Sequence, residues 1–239
     1  MGLSANQIKS IKRLHQKKYR QANNQFIIEG VKLVQELLES DWECEMLLHT
    51  PEYKGRHHKQ SMLITDKELQ LISGLKTPNQ VLAIVKKKVF ALPTSFNKLM
   101  ILEDIKDPGN LGTIIRTADW FGFDAVICSP ETVEVFNQKV LQSTMGSVFH
   151  LPVIYSPLPE FLSALKHKCT ILVSELNGKP LHSFSMNKPY ALVMGSESHG
   201  VSEEVLDMAD ERIKIPAYGK AESLNVAVAA GVCAYALME

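Results

Sequence analysis

Three segments of this chain combine turns with polar side chains that could build a site. The first is Asp107-Pro108-Gly109-Asn110-Leu111-Gly112-Thr113-Ile114-Ile115-Arg116. Pro108 and Gly109 suit a turn. Asn110 is suited to cap the helix that follows, because its side-chain oxygen can accept from free first-turn N–H groups. Arg116 then falls among Ile114, Ile115 and Ala118. A guanidinium is always charged, so a buried one needs a partner. That partner is either a nearby carboxylate such as Asp119 or a bound anion, and both readings stay open.

The second segment, Ala191-Leu192-Val193-Met194-Gly195-Ser196-Glu197-Ser198-His199-Gly200, runs from a buried strand into a loop flanked by glycines. Gly195 and Gly200 would let a ligand approach the backbone closely. Glu197 could pair with a cation or accept from a ligand, whereas His199 reads as a surface residue. Neither the dinucleotide fingerprint nor a P-loop is present. In the third segment a strand ends at Ile215-Pro216, Gly219 opens a loop, and Ser223 is expected to cap the last helix. Ser223, Asn225 and the helix's free N–H groups form a polar rim fit for a small ligand. Capping alone would explain Ser223 but leaves Asn225 unexplained.

The elements that must position these segments follow from apolar patterning. Strands are expected at Phe26–Ile28, Met46–Leu48, Met62–Ile64 and Val81–Val85. Helical spacing covers Ile8, Ile11 and Leu14, and then Val31 to Leu38, with Asp66 as the cap of a helix through Ile72. A linker falls at about 86–96. Beyond it, strands at Leu99–Leu102, Ala125–Cys128, Val153–Tyr155, Thr170–Val173, Ala191–Met194 and Ile213–Ile215 are separated by helical patterns. Short apolar strands separated by helices indicate a parallel sheet covered on both faces. The last segment, Ser223 to Met238, is apolar on all sides, which predicts burial against the sheet or a second subunit.

The 239 residues carry 26 Lys and Arg against 26 Asp and Glu, an even balance that hides an asymmetry. Residues 1–90 hold 15 basic and 9 acidic residues, and 91–239 hold 11 and 17. The first twenty residues contain Lys9, Lys12, Arg13, Lys17, Lys18 and Arg20 and no acid. A basic segment on an acidic body points to a polyanion partner or to a solvated helix face. No apolar run reaches the length of a membrane helix, and the N-terminal residues lack the apolar stretch of a signal peptide. Cys44, Cys128, Cys169 and Cys233 are widely spaced and read as reduced thiols of a cytoplasmic protein, not as a metal site or disulfide frame.

Taken in order, the three segments resemble the motifs of the SpoU family of RNA 2′-O-ribose methyltransferases, within the SPOUT class. Asn110 and Arg116 match the first motif, Gly195-Ser196-Glu197 with Gly200 the second, and Ile215-Pro216 with Glu222-Ser223-Leu224-Asn225-Val226 the third. Ser143-Thr144-Met145-Gly146-Ser147 resembles a further family segment, with Gln142 standing where members often carry a basic residue. Lys17-Lys18-Tyr19-Arg20, Phe26-Ile27-Ile28-Glu29-Gly30 and Val81–Val85 resemble the family's L30e-like RNA-binding domain.

The resemblance implies an L30e-like RNA substrate-binding domain over 1–90 and a trefoil-knotted α/β catalytic domain over 91–239. It implies S-adenosylmethionine as cofactor, no metal, and a homodimer with the active site near its interface. Arg116, Asn110, Glu197, Ser223 and Asn225 would carry catalysis, with Arg116 as base or electrostatic clamp and Glu197 orienting Arg116 or another cation. Gly195, Ile215 and Leu224 would hold the cofactor through their backbone, with Pro216 and Ser174 in the same pocket. The expected substrate is rRNA. The alternatives are tRNA, a non-catalytic RNA-binding assembly factor, and a methyltransferase acting on a small molecule or protein.

Overall fold

The apolar runs fold into two separate sheets, described for residues 2–186 and 188–238 of the computed structural model. In chain order the elements are α1 (Ala5–Arg13), α2 (Lys17–Asn23), β1 (Gln25–Glu29), α3 (Val31–Glu39), β2 (Cys44–His49), β3 (Ser61–Leu63), α4 (Asp66–Ile72) and β4 (Val81–Lys86). There follow β5 (Lys98–Leu102), α5 (Pro108–Trp120), β6 (Ala125–Cys128), α6 (Gln138–Thr144), β7 (Val153–Tyr155), α7 (Leu158–Leu165), β8 (Thr170–Pro180), β9 (Tyr190–Met194), α8 (Glu203–Leu206), β10 (Glu211–Lys214) and α9 (Val226–Ala236).

One unit comprises the chain through Val89 together with Phe136–His150. Its sheet has the order β1-β4-β2-β3, with β4 antiparallel to both neighbours and β3 parallel to β2. On one face Ile27, Leu48, Leu82 and Ile84 pack with Ile11 and Leu14 of the N-terminal helix and with Leu69 and Ile72 of α4. Thr65, not Asp66, caps α4. Its hydroxyl accepts from Glu68 N while the Glu68 carboxylate accepts from Thr65 N at 2.8 Å. Asp66 has helical dihedrals and sits one residue too late to cap.

Segment 136–150, expected with the second half of the chain, contributes instead to this unit. The Phe26 ring lies 4.5 Å from Phe136 and 5.8 Å from Trp42, and Trp42 lies 5.6 Å from Phe149. The buried Glu29 carboxylate accepts from Gly74 N at 2.9 Å, Gln138 Nε2 at 2.5 Å and the Ser73 hydroxyl. Those donors offset the cost of burying a charge. Gln142 donates to the Glu29 carbonyl at 2.9 Å, so this amide is spent on an internal bond.

The second unit comprises Phe90–Val135 and the chain from Leu151 onward. Its six strands are all parallel, in the order β10-β8-β9-β5-β6-β7. Leu99, Ile101, Ala125, Ile127, Val173 and Val193 pack on one face with Leu158, Leu162 and Leu165 of α7 and Val205 of α8. Intervening strand residues point to the opposite face. Strand β8 runs on to Pro180, beyond its expected end. It passes β10 so closely that a Cβ on Gly178 would lie 2.6 Å from the backbone of Arg212 and Ile213, where the register shifts. β10 itself ends at Lys214.

The last helix is not buried all round. Val226, Ala227, Ala230, Cys233 and Ala234 are buried, whereas Val228, Val232 and Tyr235 are exposed. All four cysteines are free thiols, and burial pushes Cys44, Cys169 and Cys233 up to about 11. They are therefore protonated and poor nucleophiles near neutral pH.

The packing of segment 136–150 has a direct test. Phe136→Ala is expected to cost about 2 kcal/mol, below the value for a fully buried ring because Phe136 is half-buried. Hydrogen exchange should accelerate at β1 and β4 and stay unchanged at β9; acceleration confined to β9 would assign the segment to the other unit.

Candidate active site

Parallel sheets present their loops together at the carboxyl ends of their strands. Leu102 of β5 pairs with Met194 of β9, so the loops after these two strands start side by side. After β5, Glu103 accepts from Ser202 N at 2.8 Å and from the Ser202 hydroxyl at 2.7 Å, which ties the far end of the β9 loop to the β5 end. Sequence reasoning missed Glu103; its place one residue past a buried strand was the available signal. Asp107, not Asn110, caps α5: its carboxylate accepts from Asn110 N at 2.9 Å, which places Asn110 inside the first turn with its side chain free.

That amide meets the other two segments. Asn110 Nδ2 donates to Glu197 Oε1. Asn225 Nδ2 donates to the same oxygen at 2.9 Å and to Asn110 Oδ1 at 3.0 Å. One residue from each segment thus converges on a single carboxylate oxygen. Asn225 is also the N-cap of α9, its Oδ1 accepting from Ala227 N at 3.0 Å. This corrects the assignment of the cap to Ser223, which is exposed and makes no hydrogen bond among the described residues.

Arg116 is exposed, so its charge needs no internal partner. Among the described residues it forms no ion pair, neither with Asp119 nor with Glu197. Within one chain Glu197 binds the two amides through Oε1 and makes no ion pair with Arg116 among the described residues. His199 is exposed and bonded to the Ser198 hydroxyl at 2.8 Å, a surface arrangement.

The β9 loop is a tight hairpin: Ser196 and Gly200 exchange both backbone hydrogen bonds, at 3.0 and 2.9 Å. A Cβ on Gly195 would lie 2.2 Å from the Gly200 carbonyl. Gly195 is thus required by the loop's own backbone before any ligand is considered. Strands β10, β8 and β9 are neighbours; Ser174 and Gly195 lie just past the Val173–Val193 pair, whereas Ile215 follows Lys214, which pairs with Pro180 beyond the register shift. Among the described residues the backbone groups of Gly195, Ile215 and Leu224 make no hydrogen bond within the chain. Gly195, Ile215 and Pro216 are half-buried, and unpaired polar backbone in such places calls for a ligand or water. These groups fit a ligand with an apolar body and hydrogen-bonding edges. Ser174 follows directly on the buried part of β8 and is half-buried. No cluster of three or more potential metal-binding side chains occurs among the described residues.

Unpaired backbone past the carboxyl edge of a parallel sheet, next to one carboxylate and two amides, lies where open α/β sheets take their ligands. The chain matches the SpoU rRNA Methylase family over residues 97–235 and an MRM3-like substrate binding domain over residues 5–83. It is 36% identical over 236 residues to the 23S rRNA (guanosine(2553)-2′-O)-methyltransferase RlmP of Bacillus subtilis, covering 96% of this chain and 95% of that protein. An RNA methyltransferase structure described as of the TrmH family, from Porphyromonas gingivalis, superposes with a TM-score of 0.91 at 32% identity over 99% of this chain and 98% of that one. An AdoMet-bound rRNA methyltransferase from Sinorhizobium meliloti gives 0.88 at 29% identity, covering 99% and 96%. The chain belongs to the SpoU rRNA methylase family.

The double duty of Asn225 can be separated. Asn225→Ala should lose about 1 kcal/mol of stability with the cap. Asn225→Ser can still cap but is too short to reach Glu197 and Asn110. It should keep the wild-type melting temperature and lose the activity proposed below; retention of full activity would reduce Asn225 to a cap.

Proposed function

We propose that this chain transfers a methyl group from S-adenosylmethionine to a ribose 2′-hydroxyl of rRNA. The observation that carries the reading is the convergence of Asn110, Glu197 and Asn225 beside unpaired backbone at Gly195, Ile215 and Leu224. Support comes from family membership and from a full-length relative named for this reaction on 23S rRNA. The match of residues 5–83 to a substrate binding domain supports RNA recognition by the first unit. The reading places the protein in the cytoplasm, where its substrate is made; among the described residues no helix is long and apolar enough to cross a membrane.

The backbone groups of Gly195, Ile215 and Leu224 would hold the cofactor, with Pro216 as apolar wall and Ser174 in the same pocket. When bound, S-adenosylmethionine supplies an electrophilic methyl group on a sulfonium. Arg116 grips an RNA phosphate and stabilises negative charge on the attacking oxygen, whose proton passes to solvent water as the oxygen takes the methyl group. A guanidinium stays protonated at working pH, so this electrostatic role suits it better than that of base. Glu197 holds Asn110 and Asn225 at the edge of the cradle, and Ser223, exposed beside them, positions the ribose. Residues 215–225 lead from β10 back to Glu197 and so cross the ends of β8 and β9; this crossing is where a trefoil knot would be threaded.

Arg116→Ala should lower methyl transfer by at least about 10²-fold while cofactor binding by calorimetry stays within about twofold of wild type. Wild-type turnover in that variant would remove Arg116 from the chemistry. Transfer to a tRNA transcript in preference to rRNA would redirect the substrate.

The exposed apolar side of α9 supports a homodimer. Val228, Val232 and Tyr235 recur along it, and Trp120 at the end of α5 is 84% exposed. Large apolar patches of this kind mark interaction surfaces. Tyr235→Glu together with Val228→Glu should give a monomer by light scattering and lose transfer; a fully active monomer would sink the dimer.

A further inference from the structure

The positive charge of the first twenty residues is not spread evenly once hydrogen bonds are assigned. Arg20 is 6% exposed, and its guanidinium donates to the carbonyls of Leu14 and His15 at 3.1 and 2.8 Å. These are free carbonyls at the end of α1, so Arg20 caps that helix and fixes the turn into α2. Its charge is therefore structural. The other five cations, Lys9, Lys12, Arg13, Lys17 and Lys18, are exposed and form no ion pair among the described residues. The first carboxylate in the chain is Glu29, which is buried and fully engaged. No acid on α1 or α2 opposes the five charges.

Their placement is ordered. Lys9, Lys12, Arg13 and Gln16 fall at helical spacing on one face and, with Ala5 and Ile8, line a shallow groove. At the following turn Tyr19 carries two cations on its ring: Arg13 at 5.2 Å and Lys18 at 4.8 Å from the centroid. A ring quadrupole attracts each cation and restricts its rotamers. Long side chains held in advance lose less entropy when they grip a ligand.

We infer that the α1–α2 hairpin is a phosphodiester-backbone grip for the RNA substrate, with Tyr19 as a positioning residue that holds Arg13 and Lys18 ready. The inference rests on the RNA methyltransferase reading and adds the surface and the kind of contact. Five exposed cations without an ion pair, on two helices that carry no acid, match a strand of regularly spaced phosphates; the acids of the neighbouring α4, Asp66 and Glu68, lie by the start of α1, where the Glu68 carboxylate accepts from Leu3 N. Phosphate contacts carry no sequence information, so this surface supplies affinity and register while the nucleotide is chosen elsewhere.

The test measures RNA binding by the full-length chain against salt, with an rRNA hairpin and polyuridylate as probes. Each phosphate contact to single-stranded RNA contributes about 0.7 to the slope of log affinity against log salt. The combined variant Lys9→Gln, Lys12→Gln, Lys17→Gln should therefore flatten the slope by about 2 and weaken both RNAs by roughly tenfold. It should raise KM for RNA with kcat and S-adenosylmethionine binding unchanged. Tyr19→Leu should weaken binding by roughly fivefold without changing the slope or the melting temperature, and Tyr19→Phe should restore wild-type affinity. If the triple variant keeps the wild-type slope and KM while the protein methylates rRNA, the hairpin is not the grip and the enzyme reading stands. If the wild-type chain neither binds nor methylates RNA, both fall. Tighter binding to phosphatidylserine vesicles than to either RNA would overturn the choice of partner.

Discussion

The site depends on one carboxylate oxygen shared between two amides. Asn110 and Glu197 are 87 residues apart in sequence, and Glu197 and Asn225 are 28 apart. Bringing three loops together costs chain entropy that exposed contacts alone would not offset. The sheet meets most of that cost. Pairing of Leu102 with Met194 sets the loops after β5 and β9 next to each other, and Glu103 fastens the β9 loop at Ser202. The third loop arrives from β10, two strands away, and is held because Asn225 both starts α9 and reaches Glu197. Hydrogen bonds to an ionised acceptor are stronger and more directional than neutral ones. Glu197 can thus fix orientation on an exposed surface where its contribution to global stability is small.

The same bonds explain what could and could not be read from the sequence. Continuous apolar runs specify buried parallel strands, and those were readable to within a few residues for β5, β6, β7 and β9. Caps were not. At α4, α5 and α9 the sequence offers two capping residue types within four positions, and the cap goes to the one that stands just outside the helical dihedrals. That residue is Thr65, Asp107 or Asn225, one to three positions from the choice made on side-chain type. Asn110 is displaced from capping because Glu197 claims its side chain, a contact no local pattern contains. Arg116 misleads in the opposite way. Its sequence neighbours Ile114, Ile115 and Ala118 are buried, yet at 100° per residue position 116 lies on the far side of the helix from them.

Segment 136–150 has the same moral for domain boundaries. A linker at 87–97 without helix or strand separates two sheets cleanly in sequence. The first unit nevertheless completes its apolar face with Phe136 and Phe149, and its buried Glu29 with Gln138. Contiguity suggests one partition and packing gives another, because a buried acid and an aromatic cluster accept partners from any distance along the chain. Gln142 illustrates the consequence. A residue whose polarity invites a substrate role is accounted for by the Glu29 carbonyl.

Charge obeys the same accounting. The chain has no formal net charge, yet screening at physiological salt confines each charge to about 8 Å. A polyanion therefore responds to the local surface, not to the sum. What matters locally is which ions are already satisfied. Arg20 is consumed by the end of α1, the Glu29 carboxylate by three donors, and Lys86 and Lys88 by Glu43 and Asp41. Among the described residues the five exposed cations of α1 and α2 form no ion pair, and neither does Arg116 on the second unit. A cationic region spread along a helix face in this way suits a partner with one charge per nucleotide. An extended region of this kind can hold several phosphates at modest cost each, and no one of its cations need be decisive.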